Sequence, residues 1–188
     1  MLHRPCAPVT SFGPELAALV DDMFASMYTA GGVGLAANQV GVGLRVFVYD
    51  CPDATGEHRA GHVVNPVLRI PSALASPVTD AEGCLSVPAQ QAELTRPAVA
   101  AVAGVDLHGH EVRLAATGLL ARCLQHEADH LDGVVYVDRL PADDRAAILA
   151  AAGLDTASMV PAQAHRTGHR DSRRRVRPGA APTDDALA

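Results

Sequence analysis

An α+β fold is what the sequence predicts, and three observations predict it. Apolar residues recur at helical spacing near both ends of the patterned part of the chain. β-branched and aromatic runs lie between these ends, one of them shaped as a hairpin. No alternation of strand and helix suggests a parallel sheet.

The elements follow in order. SFGPELAALVDDMFASMYTA (11–30) opens with Ser11 as a helix N-cap and Pro14 in the first turn; apolar residues follow at 16, 19, 20, 23, 24 and 27, and Gly31 and Gly32 end the stripe. LRVFVYD (44–50) reads as a strand, and GHVVNPVLRI (61–70) as another interrupted at Asn65-Pro66. PAVAAVAGVDLHGHEVRLAA (97–116) has the form of a hairpin turning near His108-Gly109. From Thr117 to about Leu131, positions 119, 120, 123, 124 and 131 return to helical spacing, with Gly133 as the stop. PADDRAAILAAAG (141–153) is a short C-terminal helix that starts at Pro141 and stops at Gly153. Beyond about residue 158 an arginine block without apolar periodicity is expected to be a disordered tail, leaving 1–157 as one domain.

Composition narrows the function classes. A chain of 188 residues that is 48% hydrophobic can bury a core, which excludes overall disorder. A net charge of −6 argues against a nucleic-acid scaffold, so no DNA partner is expected and any ribosome contact must be local. All 15 basic residues are Arg, a composition typical of a GC-rich genome. MLHRPCAPVT lacks the apolar core of a signal peptide and no run of about 18 apolar residues occurs, so the expected location is the cytoplasm, away from membrane. Cys6, Cys51, Cys84 and Cys123 show no paired spacing, which favours free thiols or metal ligands over disulfides.

The chemistry concentrates in LQHEADHLDG (124–133). On a helix, His126 and His130 share one face with Cβ atoms roughly 6 Å apart, and Glu127 stands beside a ligand position, where a proton-transferring carboxylate belongs. A catalytic metal needs a third protein ligand and an open position. Cys84, in the polar segment DAEGCLSVP (80–88), is the foremost candidate, and Cys123, three residues before His126, is its rival. In GGVGLAANQVG (31–41), Gly32 and Gly34 allow backbone to approach a ligand closely, and Gln39 offers an amide donor that can polarise a carbonyl.

Taken together and in this order, GVGLAANQ (32–39), EGCLS (82–86) and QHEADH (125–130) resemble the three signature motifs of the peptide deformylases, in an actinobacterial-like form. The resemblance runs from about His3 to about Leu149. It implies antiparallel sheets packed around a central His-Glu-x-x-His helix, with an N-terminal and a short C-terminal helix. It also implies one divalent metal on Cys84, His126 and His130, Fe²⁺ in the cell, with Zn²⁺, Ni²⁺ or Co²⁺ able to replace it. Glu127 would be general base and then acid, and Gln39 with the backbone N–H of Leu85 would hold the oxyanion.

The implied substrate is the N-formylmethionyl end of a nascent chain, cut to formate and a free amine by a monomer in transient contact with the ribosome. Gly32, Gly34, Leu85 and Cys123 would shape the substrate pocket, with Arg122 at its rim or, equally, a solvated helix charge. Glu82 and Arg96 would pair to orient the loop carrying Cys84. The chain departs from the pattern at AQQ (89–91), where Gly or Glu-x-Arg is common, and it starts close to the family's first segment, as expected of an upstream start or a trimmed edge. Two other readings are a zinc metallopeptidase, which would take a His or Glu ligand downstream of the helix, and a non-catalytic metal-binding paralogue.

Overall fold

The computed structural model describes residues 1–71 and 76–155. The stretch expected to be a tail, 158–188, lies outside the described residues. In chain order the elements are α1 (Pro14–Thr29), β1 (Gly34–Ala36), a 3-10 turn at Ala37–Val40, β2 (Val46–Pro52), β3 (His58–Arg69), β4 (Pro77–Cys84), β5 (Val87–Pro97), β6 (Val99–Val105), β7 (Glu111–Thr117), α2 (Gly118–Leu131), a second 3-10 turn at Tyr136–Arg139, and α3 (Ala142–Ala151).

Helix α1 buries Leu16, Val20, Met23 and Met27 of the expected stripe. Its N-cap is Gly13, not Ser11: Pro14 presets the first helical φ, and the Gly13 carbonyl accepts from the Leu16 and Ala17 N–H groups at 3.1 and 3.2 Å. β2 starts two residues later than the 44–50 run, because Leu44 bridges Ala7 in parallel and the Arg45 N–H donates to Ala7 O. The expected interruption of β3 is a bulge. Asn65 takes φ +52°, register shifts between Val64 and Val67, and the Asn65 amide instead binds the Val9 N–H and C=O at 2.8 and 2.9 Å. β6 and β7 form the expected hairpin, with Gly109 at φ +84° in the turn.

Five strands make one antiparallel sheet in the order β1-β2-β3-β6-β7, while β4 and β5 form a separate two-stranded sheet. This second hairpin is the element that the 80–88 segment conceals. Along β4 the inward residue is Glu82, so the strand's buried position carries a carboxylate and shows no apolar alternation.

Helix α2 lies between the two sheets and is buried at every position from Leu120 to Leu131. One side packs Leu120, Leu124 and Leu131 against Phe47, Val63, Val102 and Leu114 of the large sheet. α1 covers the sheet's other core, with Val46, Val48 and Val64. A third cluster joins Leu149 of α3 and Val135–Val137 to Val87 and Leu94 of β5. None of the described helices is long and apolar enough to cross a membrane.

Gly133 ends α2 at φ +79°, and the N-terminal segment crosses it so closely that a Cβ there would stand 2.9 Å from Arg4 N. Gly133→Ala combines a left-handed backbone with this collision and is expected to cost about 1–3 kcal/mol in urea unfolding. An unchanged unfolding midpoint would show that the segment does not hold this crossing in solution.

Candidate metal centre

The buried helix, the end of β4 and the turn after β1 bring the three motifs to one place. The Cys84, His126 and His130 donor atoms all lie within 4.8 Å of one another and can hold a metal ion. Cys84 Sγ is 3.1 Å from His130 Nε2, which is 3.2 Å from His126 Nε2. The spacing of four along α2 places the two rings edge to face, 4.8 Å apart. One soft thiolate with two imidazoles suits Zn²⁺, Fe²⁺, Co²⁺ or Ni²⁺.

His126 points Nε2 inward because its other ring nitrogen is taken: Nδ1 lies 2.7 Å from Glu82 Oε1. Burial alone would lower the His126 pKa, but hydrogen bonds with Cys84 and Glu82 outweigh it and raise it to about 10. A divalent cation at this nitrogen competes for the same lone pair and must displace that proton. Burial and the charge of His126 push the His130 pKa well below its ordinary value, so His130 stays the neutral imidazole a metal requires. Behind it, Asn38 Nδ2 donates to the His130 carbonyl at 2.6 Å.

Glu82 carries four bonds. Arg96 Nε and Nη2 meet its two oxygens at 2.7 and 2.6 Å, Arg122 Nη1 adds one at 2.9 Å, and His126 the fourth. Burial opposes its charge, but Arg96 and His126 overcome that and hold the carboxyl well below the usual carboxylate range. Arg96 Nη1 continues to Asp129 Oδ2 at 2.9 Å, where Arg139 also binds. Glu127 stands on the other side of His126 in the opposite condition. Burial raises its pKa to about 7, only partly offset by His126, and its Oε2 has no hydrogen-bond partner among the described residues.

A cleft of about 500 Å³ opens onto this group, with Gly32, Gly34, Gln39, Leu85, Arg122 and Cys123 in its walls beside Cys84, His126 and Glu127. Gly34 is a steric necessity, since a Cβ there would collide with the Glu127 carboxylate and sit 2.7 Å from Cys123 Sγ. At Gly32 a Cβ would come 2.7 Å from Leu85 Cδ1. The Gln39 Oε1 accepts from the Ala36 N–H at 2.8 Å, which turns Nε2 towards Ser86 Oγ at 3.1 Å and Cys84 Sγ at 3.6 Å.

One expectation changes. Arg122 is not a solvated charge: it is buried in the cleft wall, and its donors turn into the hairpin, where Glu82, Leu94 O and Val78 O receive them. Cys123 is not a rival ligand. It sits outside the donor group, its Sγ–H points to Val33 O at 3.5 Å, and the neighbouring Cys51 together with burial pushes the thiol's pKa well above its ordinary value. Sequence reading passed over Asn38 and Asp129. Asn38 stands beside Gln39 within a motif already singled out, whereas Asp129 takes its partners Arg96 and Arg139 from 33 and 10 residues away, which leaves no local signal.

The likeness to known proteins agrees with this geometry. A family model described as polypeptide deformylase matches residues 1–146. Peptide deformylase 2 of Streptomyces avermitilis is 58% identical over 140 residues, 74% of each chain, and peptide deformylase 2 of Streptomyces coelicolor is 57% identical, covering 74% of this chain and 77% of its own. Among solved structures, the peptide deformylase of Synechococcus elongatus in complex with actinonin superposes with a TM-score of 0.75 at 34% identity, covering 86% of this chain and 87% of that one. These matches displace the metallopeptidase reading.

Loaded with Co²⁺, the protein is expected to show a thiolate-to-cobalt charge-transfer band that Cys84→Ser abolishes and Cys123→Ser retains; the reverse pattern would exchange the two cysteines. A family model spanning most of the folded chain, and relatives sharing more than half of its aligned residues, decide the affiliation: the chain belongs to the polypeptide deformylase family.

Proposed function

We propose that this chain hydrolyses the formyl amide of N-formylmethionyl nascent peptides, releasing formate, with one divalent metal on Cys84, His126 and His130. Fe²⁺ is the proposed ion in the cell, and Zn²⁺, Ni²⁺ and Co²⁺ suit the same donors. The observation that carries the reading is Glu127: a buried carboxyl with a pKa of about 7 and an unpartnered oxygen, next to a ligand in an open cleft. A protein that only stored metal would have no use for it.

Bound at these donors, the metal supplies acidity, bringing the pKa of a water from 15.7 towards about 7. Glu127 takes the proton from the attacking water and returns it to the departing amine, two tasks that a near-neutral pKa serves equally. Gln39 Nε2 and the Leu85 N–H donate to the formyl oxygen as negative charge collects there. Gly34 lets the β1 backbone lie against the Glu127 carboxylate, while Gly32, Leu85 and Cys123 form the apolar wall for the methionine side chain. Glu82, held by Arg96, keeps the His126 ring aimed inward. The cytoplasm is the proposed location and a monomer the proposed state, with ribosome contact confined to a local patch by the −6 net charge.

The test is formate release from a formyl-Met tripeptide by protein purified without oxygen, since Cys84 and Fe²⁺ both oxidise. Wild type should release formate; Glu127→Gln should release none while its metal stays bound; Gln39→Leu should lose about 10²–10³-fold in kcat, the usual loss for one oxyanion donor. Full metal occupancy in the wild type without formate would leave the non-catalytic paralogue as the reading.

A further inference from the structure

The hairpin that delivers Cys84 is a sheet of its own, with no ladder hydrogen bond to the five-stranded sheet. A two-stranded ribbon is marginally stable by itself, so side chains must set its place against α2. Arg122 supplies three of those bonds: Nη1 to Glu82 Oε2 and to Leu94 O, both at 2.9 Å, and Nη2 to Val78 O at 3.1 Å. One guanidinium on α2, about a turn before His126, therefore grips β4 at two points and β5 at a third. It also shares the Glu82 carboxylate with His126.

We infer that Arg122 is a positioning residue for the metal centre: it fixes the β4–β5 hairpin against α2, and with it both Cys84 and the Glu82 that orients His126. The inference rests on the metal-dependent reading above. Two neighbouring ties do a different job. Arg96 reaches Asp129, and Gln125 Nε2 reaches Pro97 O at 3.0 Å, both tying α2 to β5, while His126 meets β4 only through Glu82. Arg122 holds β4, the strand that ends in Cys84, at a second point, the Val78 carbonyl, and β5 as well. The residue type follows from the geometry, because a planar fork can serve a carboxylate and two carbonyls at once, whereas an ammonium on a flexible stem cannot span both strands.

The experiment compares wild type, Arg122→Met and Arg122→Lys, each loaded with Co²⁺ without oxygen, by the decay of the thiolate–cobalt band under excess chelator. Arg122→Met should release cobalt about tenfold faster or more, with Arg122→Lys in between, as expected for a partner that orients ligands. In formyl-Met peptide assays kcat should fall while KM stays within about twofold, since all three Arg122 donors turn into the hairpin. Release at the wild-type rate overturns the inference, as does a raised KM with unchanged release, which would make Arg122 a pocket residue. Should Arg122→Met not fold, Arg122→Lys carries the same comparison, and wild-type release from it is equally fatal. A wild type without the band defeats the metal reading itself; a band in the wild type with unaltered release in the variants defeats only the positioning role.

Discussion

The saturated carboxylate of Glu82 is the interaction on which the rest of the site depends. A carboxylate offers about four lone-pair directions, and here two bonds from Arg96, one from Arg122 and one from His126 occupy all four. Taking such a charge out of water costs several kcal/mol, which only well-aligned, charge-assisted partners offset. Because those partners come from β5 and from two turns of α2, satisfying Glu82 forces the hairpin and the helix into one arrangement. That arrangement is the one in which Cys84 meets His126 and His130.

Helix α2 shows how a single amphipathic segment can be buried all round. Its leucines face the large sheet, Arg122, His126 and Asp129 face the hairpin, and Cys123 with Glu127 face the cleft beside Gly34. Each polar side chain except the Glu127 carboxylate and His130 Nδ1 is matched to a partner at its own surface. The exception is informative. Glu82 and Glu127 sit on either side of His126, yet hydrogen bonds drive one pKa far down while burial lifts the other to about 7. Opposite environments divide the labour, one carboxyl a fixed charge that aims a ligand and the other a group able to exchange a proton near neutrality.

The glycines at 32 and 34 and the turn at Ala37–Val40 complete the site from the opposite wall. β1 is only three residues long, and its value lies in what it lacks: without a Cβ at Gly34, backbone can lie against the Glu127 carboxylate. The turn that follows points Gln39 at Cys84 and Asn38 at the carbonyl of His130, so adjacent residues brace two different ligands.

Much of this was legible in the sequence, for reasons that differ from residue to residue. Helical spacing located α1, α2 and α3, β-branched runs located the strands of the large sheet, and the four-residue interval between His126 and His130 fixed their shared face, because each of these signals is local. The β4–β5 hairpin left no such signal, since its inward position is a glutamate. The sequence by itself determined the α+β class, the donor chemistry and the family. Only the tertiary structure decided how Cys84 is brought against His130 and that Arg122 is buried rather than solvated, because those contacts join partners 28 to 46 residues apart. Pairing at that range is set by how two sheets close on a helix, a geometry that no local spacing encodes.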